Sequence, residues 1–231
     1  MLERLPKGDG HPVLVLPGFT AADGSTLQLR ALLRRLGYRT YGWKLGNNLG
    51  PTPQIVRGLE QRINEISEKE GQPVSIIGWS LGGIYARDLA RRFPDLVRQV
   101  ITLGSPIRMN PGDPSAARRL WETLEPLHDR DAQVFVSDDD DPLPVPSTAV
   151  YSRSDGVVHW RLCLEVKGPL SESVEVFGSH CGLGFNPSVA IVVADRLSRD
   201  VSEWKRFRPP LWALAAFPRP THWKPARSQA A

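Results

Sequence analysis

A serine set between glycines is the most informative short pattern in the sequence, within Gly78-Trp79-Ser80-Leu81-Gly82-Gly83. It follows an apolar run, residues 74–79, and opens a stretch with helical spacing, which predicts a sharp turn from a strand into a helix. Such a turn exposes the serine hydroxyl, and the glycines leave room for the neighbouring strand and helix. Ser80 is therefore the predicted nucleophile, and an ordinary glycine-rich turn with a serine cap is the alternative.

A serine hydroxyl becomes a strong nucleophile only when a nearby imidazole accepts its proton. The sequence offers five histidines: His11, His128, His159, His180 and His222. His11 lies before the first apolar run, His128 in the proline-rich segment 106–146, and His222 near the last residues. His159 and His180 remain as candidates for the base. His180 follows the apolar run 174–177, and loops at the carboxyl ends of strands are where doubly wound folds place active sites. His180 is the predicted base, against the alternative of a structural or exposed histidine.

A carboxylate must orient the imidazole and stabilise it once it is protonated. Asp155 comes soon after the apolar run 148–152, so it too is expected at the carboxyl end of a strand. The other acidic candidates do not directly end an apolar run: Asp129, Asp131, the run 138–141 and Glu165. Asp155 is the predicted acid, with a plain Asp-Gly turn as the alternative. The chain order Ser80, Asp155, His180 matches one of the known orders of a serine triad.

The oxygen of a tetrahedral intermediate needs backbone donors aimed at it. The predicted donors are the N–H of Leu81, next to the nucleophile, and the N–H of Phe19, in the loop 16–20 that follows the first apolar run. A plain Pro-Gly turn with Phe19 in the core is the alternative, and both can hold together. Trp79 and Phe19 are also predicted to line the substrate pocket, although a tryptophan at position 79 fits a buried core equally well.

Short apolar runs alternate with longer helical stretches through most of the chain. The runs predicted to be strands are residues 13–16, 38–43, 74–79, 97–103, 148–152 and 174–177. The stretches predicted to be helices are residues 24–36, 53–69, 81–93 and 187–199. This alternation predicts an α/β fold with about six mostly parallel strands and helices on both faces. Arg87, Arg91 and Arg92 of the third helix are expected on its solvated side.

Residues 106–146 interrupt the alternation. They are rich in proline, carry the acidic run 138–141, and leave room for one short amphipathic helix at about residues 115–127. An excursion of this length between two strands is often a lid or a binding loop. We therefore expect a small cap inserted before the strand that carries the acid.

The composition indicates one soluble domain, because 231 residues with 41% hydrophobic and 23% charged residues suffice for a single core. Two cysteines provide neither a disulfide framework nor a zinc-ligand set, so no metal site is predicted. The longest apolar runs, 189–194 and 211–217, are far shorter than the roughly 20 residues that span a bilayer. Residues 1–10 do not resemble a secretory signal, and we expect a cytoplasmic protein.

The net charge of +4 belongs to the last residues of the chain. Residues 201–231 carry six basic residues against one glutamate, a net charge of +5, so residues 1–200 carry −1. The charge is therefore no argument for nucleic-acid binding. We predict a catalytic domain at 1–200 and a basic tail rich in tryptophan and proline at 201–231, partly packed on the domain. Membrane contact by this tail is the alternative, and its prolines oppose the long amphipathic helix that such contact would need.

Taken together, these segments resemble the α/β-hydrolase superfamily, and more narrowly small bacterial lipases and esterases, over about residues 11–200. Residues 13–19 are similar to the oxyanion-loop strand of lipases, with Pro17 where a histidine is commoner. The segments 103–106, 154–158 and 178–180 resemble the stretch after the next strand, the acid loop and the base loop. The resemblance implies Ser80 as nucleophile, Asp155 as acid and His180 as base, carboxylic esters as substrates, and no cofactor.

The sequence leaves several functions open. The first is a serine carboxylic-ester hydrolase acting on small-molecule or lipid esters through an acyl-enzyme. An acyltransferase, a thioesterase or a polyester hydrolase would use the same three residues, and a non-catalytic binding scaffold is a third class. Cys163 and Cys181 are candidates for a bridge that would hold the acid and base loops in register, although a reducing compartment argues against it. The oligomeric state stays open.

Overall fold

A six-stranded sheet forms the centre of the protein in its computed structural model, which describes residues 2–108, 115–129 and 141–219. The strands are β1 (Pro12–Leu16), β2 (Arg39–Gly42), β3 (Val74–Trp79), β4 (Val97–Leu103), β5 (Ser147–Tyr151) and β6 (Ser171–Glu175). Their order across the sheet is β2-β1-β3-β4-β5-β6, and every neighbouring pair is parallel. The predicted α/β class with about six strands is confirmed. The last strand differs in extent, since β6 begins and ends earlier than the predicted run 174–177.

Helices cover both faces of this sheet. They are α1 (Leu27–Arg35), α2 (Pro53–Glu70), α3 (Leu81–Arg92), α4 (Arg118–Leu124) and α5 (Pro187–Leu197). Successive side chains of β1 point to opposite faces: Val13 and Val15 join a buried cluster with α1 and α5, whereas Leu14 and Leu16 join one with α2 and α3. A strand covered on both sides must be apolar at every position, which explains the continuous run from which β1 was predicted.

The arginines of α3 do not all face solvent, as the sequence had led us to expect. The side chain of Arg87 is 4% exposed and forms an ion pair with Glu165, whose side chain is 1% exposed. Arg91 is half-buried and Arg92 is exposed. The segment around Glu165 lies over this side of α3, and Arg108 fixes it by donating to the carbonyls of Leu164 and Glu165. The prediction for Arg87 was wrong because helical spacing does not reveal a segment that packs on the helix from far along the chain.

The part of the 106–146 insertion that is described contains α4 and a 3₁₀ turn, Glu125–Leu127. Trp121 of α4 packs on Phe19, with 5.3 Å between the ring centroids, and on His128, with 4.4 Å. His128 in turn bonds through Nε2 to the carbonyl of Leu49 at 2.9 Å. These contacts seat α4 beside the loop that follows β1. Most of the predicted acidic run, residues 138–140, lies outside the described residues.

Residues 201–219 lie against the domain. Ala213 and Phe217 are buried in the cluster that contains α5, and Ser188 donates its hydroxyl to the carbonyl of Ala216 at 2.8 Å. The N–H of Phe207 donates to Glu172 of β6 at 2.6 Å. The rest of the predicted tail, residues 220–231, lies outside the described residues. Across the ranges that the structure covers, no helix combines the length and the apolar character needed to cross a membrane.

Candidate active site

Ser80 occupies a strained turn between β3 and α3. Its backbone angles are φ 53° and ψ −122°, a conformation that costs a non-glycine residue about 1–3 kcal/mol. The N–H of Ser80 donates to the carbonyl of Leu103 at 2.8 Å, and its carbonyl accepts from the N–H of Gly83 at 2.9 Å. The turn is thus fixed to the carboxyl end of the neighbouring strand β4, as expected for a serine presented at the edge of the sheet.

The glycines on either side of Ser80 are required by close backbone contacts. A Cβ at Gly78 would lie 2.3 Å from the carbonyl oxygen of Gly82, and a Cβ at Gly82 would lie 2.5 Å from that of Leu16. Both separations are too short for any side chain. The G-x-S-x-G spacing therefore reflects how tightly β1, β3 and α3 approach one another around Ser80.

Asp155 and His180 form a buried hydrogen-bonded pair. His180 Nδ1 lies 2.8 Å from Asp155 Oδ2, and the side chains are 10% and 2% exposed. The other carboxylate oxygen, Oδ1, accepts from the N–H groups of Val157 at 3.0 Å and Val158 at 2.7 Å. A second bond, from the His180 N–H to the Asp155 carbonyl at 2.9 Å, holds the two loops together. With its Nδ1 proton directed at the carboxylate, the imidazole has Nε2 as its basic nitrogen.

Gly104, the residue after β4, lies between Ser80 and this pair. A Cβ at Gly104 would lie 3.0 Å from Asp155 Oδ2 and 3.2 Å from His180 Nδ1. The preceding residue, Leu103, is the one whose carbonyl accepts from Ser80. The structure therefore brings all three predicted residues to the carboxyl edge of the sheet, around the backbone of residues 103–104.

The loop after β1 passes beside Ser80. A Cβ at Gly18 would lie 3.2 Å from Ser80 Cβ, so the following residue, Phe19, is positioned next to Ser80. Within the described ranges, neither the N–H of Phe19 nor that of Leu81 has a hydrogen-bond acceptor. Both N–H groups are therefore unpaired in this part of the structure, which a donor to an oxyanion would need to be.

Asn48 holds this loop, and sequence reasoning missed it. Its Nδ2 donates to the carbonyl of Pro17 at 3.0 Å, and its own carbonyl accepts from the N–H of Thr20 at 2.6 Å. The hydroxyl of Tyr85 on α3 donates to Asn48 Oδ1 at 3.2 Å. Asn48 is fully buried, although its neighbourhood in the sequence shows only a turn pattern. No local signal could have identified it, because its partners lie on other elements.

Trp79 lies under the histidine loop. Its ring nitrogen donates to the carbonyl of His180 at 3.2 Å, and its ring packs edge-to-face on Phe185 with centroids 5.9 Å apart. The indole thus supports the loop that carries the predicted base. Phe19, which was also predicted as a pocket residue, is half-buried and contacts Trp121.

The remaining candidates have other roles. Cys163 is buried and Cys181 is exposed, and both are free thiols, so the candidate bridge between them is not formed. Burial, and secondarily the charge of Asp155, raises the pKa of the Cys163 thiol. His159 is exposed and accepts from the N–H of Arg161 at the start of a 3₁₀ turn. Glu165 is engaged in its ion pair with Arg87 and is not free to serve as the acid.

A second group of aspartate, histidine and serine lies at the opposite, amino edge of the sheet. His11 Nδ1 lies 2.5 Å from Asp9 Oδ1, and its Nε2 lies 2.9 Å from Ser75 Oγ. His11 is 1% exposed. Ser75 is fully buried, in the part of β3 that pairs with β1. Burial lowers the pKa of His11, and this effect outweighs the opposing effect of Asp9. The group ties β1 to β3, and no substrate has access to its serine.

Comparison with known proteins agrees with this architecture. The family model described as the alpha/beta hydrolase fold matches residues 62–172. Among solved structures, Aspergillus fumigatus lipase B has a TM-score of 0.62 at 17% identity and covers 87% of this chain, which spans 57% of that longer chain. Bacillus licheniformis lipase BlEst2 has a TM-score of 0.61 at 15% identity, over 85% of this chain and 95% of that one.

Paleococcus ferrophilus monoacylglycerol lipase is similar as well, with a TM-score of 0.57 at 17% identity over 84% of this chain and 96% of that chain. No curated protein matches this sequence. At identities this low, the likeness to solved structures shows the fold. The α/β-hydrolase fold that the motifs around Ser80, Asp155 and His180 indicated is confirmed.

Proposed function

Since the chain has the α/β-hydrolase fold, we propose that it hydrolyses carboxylic esters through an acyl-enzyme on Ser80. The observation that carries the proposal is the Asp155–His180 pair, with its 2.8 Å hydrogen bond, beside a serine held at φ 53°. Nucleophilic acyl transfer requires a carboxylate that orients an imidazole, and a serine close to that imidazole on a turn that presents its hydroxyl at the edge of the sheet. The three solved structures compared above are those of lipases, which supports an ester as substrate.

In the acylation step, His180 Nε2 accepts the proton of Ser80 Oγ as this oxygen attacks the ester carbonyl carbon. The carbonyl oxygen becomes an oxyanion, to which the N–H groups of Phe19 and Leu81 donate. The imidazolium is stabilised by Asp155, whose second oxygen is held in place by the N–H groups of Val157 and Val158. His180 then returns its proton to the alkoxide oxygen, and the alcohol leaves.

Deacylation repeats these steps with water. His180 accepts a proton from the water molecule, whose oxygen attacks the acyl carbon and forms a second oxyanion in the same position. Collapse of this intermediate breaks the bond to Ser80 Oγ, which takes the proton back from His180. The acid is released and the serine is regenerated. A competing alcohol in place of water would give a new ester, which is the reaction of an acyltransferase.

The proposal is tested with a short-chain p-nitrophenyl ester and a fluorophosphonate probe. Ser80→Ala should lower kcat by about 10³-fold or more, with the residual rate supplied by the backbone donors. Ser198→Ala, which removes an exposed hydroxyl after α5, is the control and should turn over like the natural chain. The probe should label Ser80 and no other serine. Equal turnover by Ser80→Ala would show that the chain uses another nucleophile. Absence of both turnover and labelling in the natural chain would show that it is a binding scaffold.

A further inference from the structure

A groove runs along the outer edge of β6, away from the nucleophile turn. β6 is the last strand in the sheet order, and none of the described residues forms a strand on its outer side. The groove has a volume of about 770 Å³ and lies between β6, the segment 164–168 and residues 206–219 of the tail. This volume falls within the range of sites that bind small molecules, roughly 300–1,000 Å³.

The interior of the groove is largely apolar and aromatic. Trp160 stacks on Tyr151 at 5.9 Å, and Phe207 packs on Phe217 at 5.4 Å. All four residues line the groove, together with Val174 of β6. A hydrocarbon chain bound here would leave water and contact aromatic side chains, and the free energy of this transfer is favourable.

The carboxylates that line the groove are already neutralised. Glu165 pairs with Arg87 and Glu172 pairs with Arg196, both in buried ion pairs. Glu175, the third acidic residue of the lining, pairs with Arg153 at 3.1 Å. None of the three is therefore free to bind a cation or to repel an anion.

Three cationic side chains of the lining are not neutralised. Lys167, Arg206 and Arg219 are exposed, and among the described residues their side chains have no ion-pair or hydrogen-bond partner. The groove thus combines an apolar floor with an excess of three positive charges. Two of these are guanidinium groups, whose planar donors match a carboxylate.

We propose that this groove binds a free long-chain carboxylate, with its hydrocarbon chain on the aromatic floor and its head group among Lys167, Arg206 and Arg219. The charge complementarity argues for an anion, and the concave floor argues for a single molecule, since a flat bilayer surface would not reach the rings. The site lies apart from Ser80, and the proposal does not depend on the proposed hydrolysis.

The test is calorimetric titration of dodecanoate, below its micelle concentration, into full-length protein that carries Ser80→Ala. We expect one molecule to bind per chain. The double variant Arg206→Ala/Arg219→Ala should bind about tenfold more weakly, because two charge-assisted contacts are lost. Arg57→Ala, which removes an exposed arginine of α2 outside the groove, is the matched control and should bind like its parent.

Head-group and chain comparisons complete the test. Dodecanol and dodecyltrimethylammonium should bind about tenfold more weakly than dodecanoate, and acetate should not bind measurably. Equal binding of dodecanoate and dodecyltrimethylammonium would overturn the proposal, as would equal affinity in the double variant. Binding only to vesicles of phosphatidylglycerol would overturn it too, in favour of a membrane surface. Because the readout is binding by a chain without Ser80, its failure is distinct from failure of the proposed hydrolysis.

Discussion

Replacing Gly104 by alanine tests whether the Asp155–His180 pair has the role proposed for it. Gly104 has φ 58°, so alanine would cost about 1–2 kcal/mol of folding free energy through the backbone alone. The added Cβ would also lie 2.7 Å from Leu183 Cδ1, 3.0 Å from Asp155 Oδ2 and 3.2 Å from His180 Nδ1. These separations are shorter than the favourable contact distance of about 3.5–4.0 Å, so the three groups must move by several tenths of an ångström or more.

The displacement of Asp155 and His180 should lower kcat. A misplacement of about 1 Å in a catalytic constellation costs about 10²-fold, or about 2.7 kcal/mol of barrier. We therefore expect kcat of Gly104→Ala for a short p-nitrophenyl ester to fall by about 10²-fold, with KM little changed, because the added methyl group displaces Asp155 and His180 and neither is proposed to bind the ester before attack. Urea unfolding of the same variant measures its loss of stability separately.

Gly71→Ala is the matched control. Gly71 ends α2 with φ 64°, and no atom lies within 4 Å of an added Cβ. It should lose the same backbone contribution to stability, about 1–2 kcal/mol, and keep its kcat. If Gly104→Ala and Gly71→Ala had equal kcat, turnover would not depend on the geometry of Asp155 and His180, and the reasoning would be refuted.

Three further outcomes follow from buried groups. Arg87→Met should lower the free energy of unfolding by about 3–5 kcal/mol in urea, because it leaves Glu165 charged and buried without a partner. The stability of the natural chain should fall as pH drops below 6.5, the ordinary pKa of histidine, because the unfolded chain binds a proton that buried His11 resists; urea unfolding of His11→Gln should show a flatter pH dependence. A thiol reagent should modify exposed Cys181 in the folded protein and buried Cys163 only after unfolding.

Each of these outcomes has a comparison that decides it. Arg87→Met combined with Glu165→Leu should recover most of the lost stability, and a double variant as unstable as the single one would contradict the ion-pair explanation. His159→Gln, which removes an exposed histidine, should keep the pH dependence of the natural chain. Two thiols that react at equal rates in the folded protein would contradict the burial of Cys163.

The sheet, and the meeting of Ser80, Asp155 and His180 at one edge of it, were predictable because their signals are local. A strand covered on both faces appears in the sequence as a continuous apolar run. The turn at Ser80 leaves no room for side chains two residues before and two residues after the serine, so glycines mark it in the sequence. Arg87 and Asn48 were not predictable, because their partners lie far along the chain. Glu165 is 78 residues from Arg87, and Pro17 is 31 residues from Asn48. A buried polar residue is recognised only from the group with which it forms a hydrogen bond or ion pair, and the sequence does not show which group that is.

The arrangement of Asp9, His11 and Ser75 has a consequence for identifying active sites by shape. Its hydrogen bonds run from carboxylate to imidazole to hydroxyl, so a search for a carboxylate–imidazole pair near a serine would return this group as well as the Asp155–His180 pair. They differ in what surrounds the hydroxyl: Ser75 extends from a paired strand with no room for an acyl group, whereas Ser80 stands on a turn that lifts its hydroxyl out of the sheet. At the amino edge of this sheet the three side chains hold β1 to β3 through hydrogen bonds. At the carboxyl edge the backbone turn at Ser80 presents a hydroxyl for the proposed chemistry.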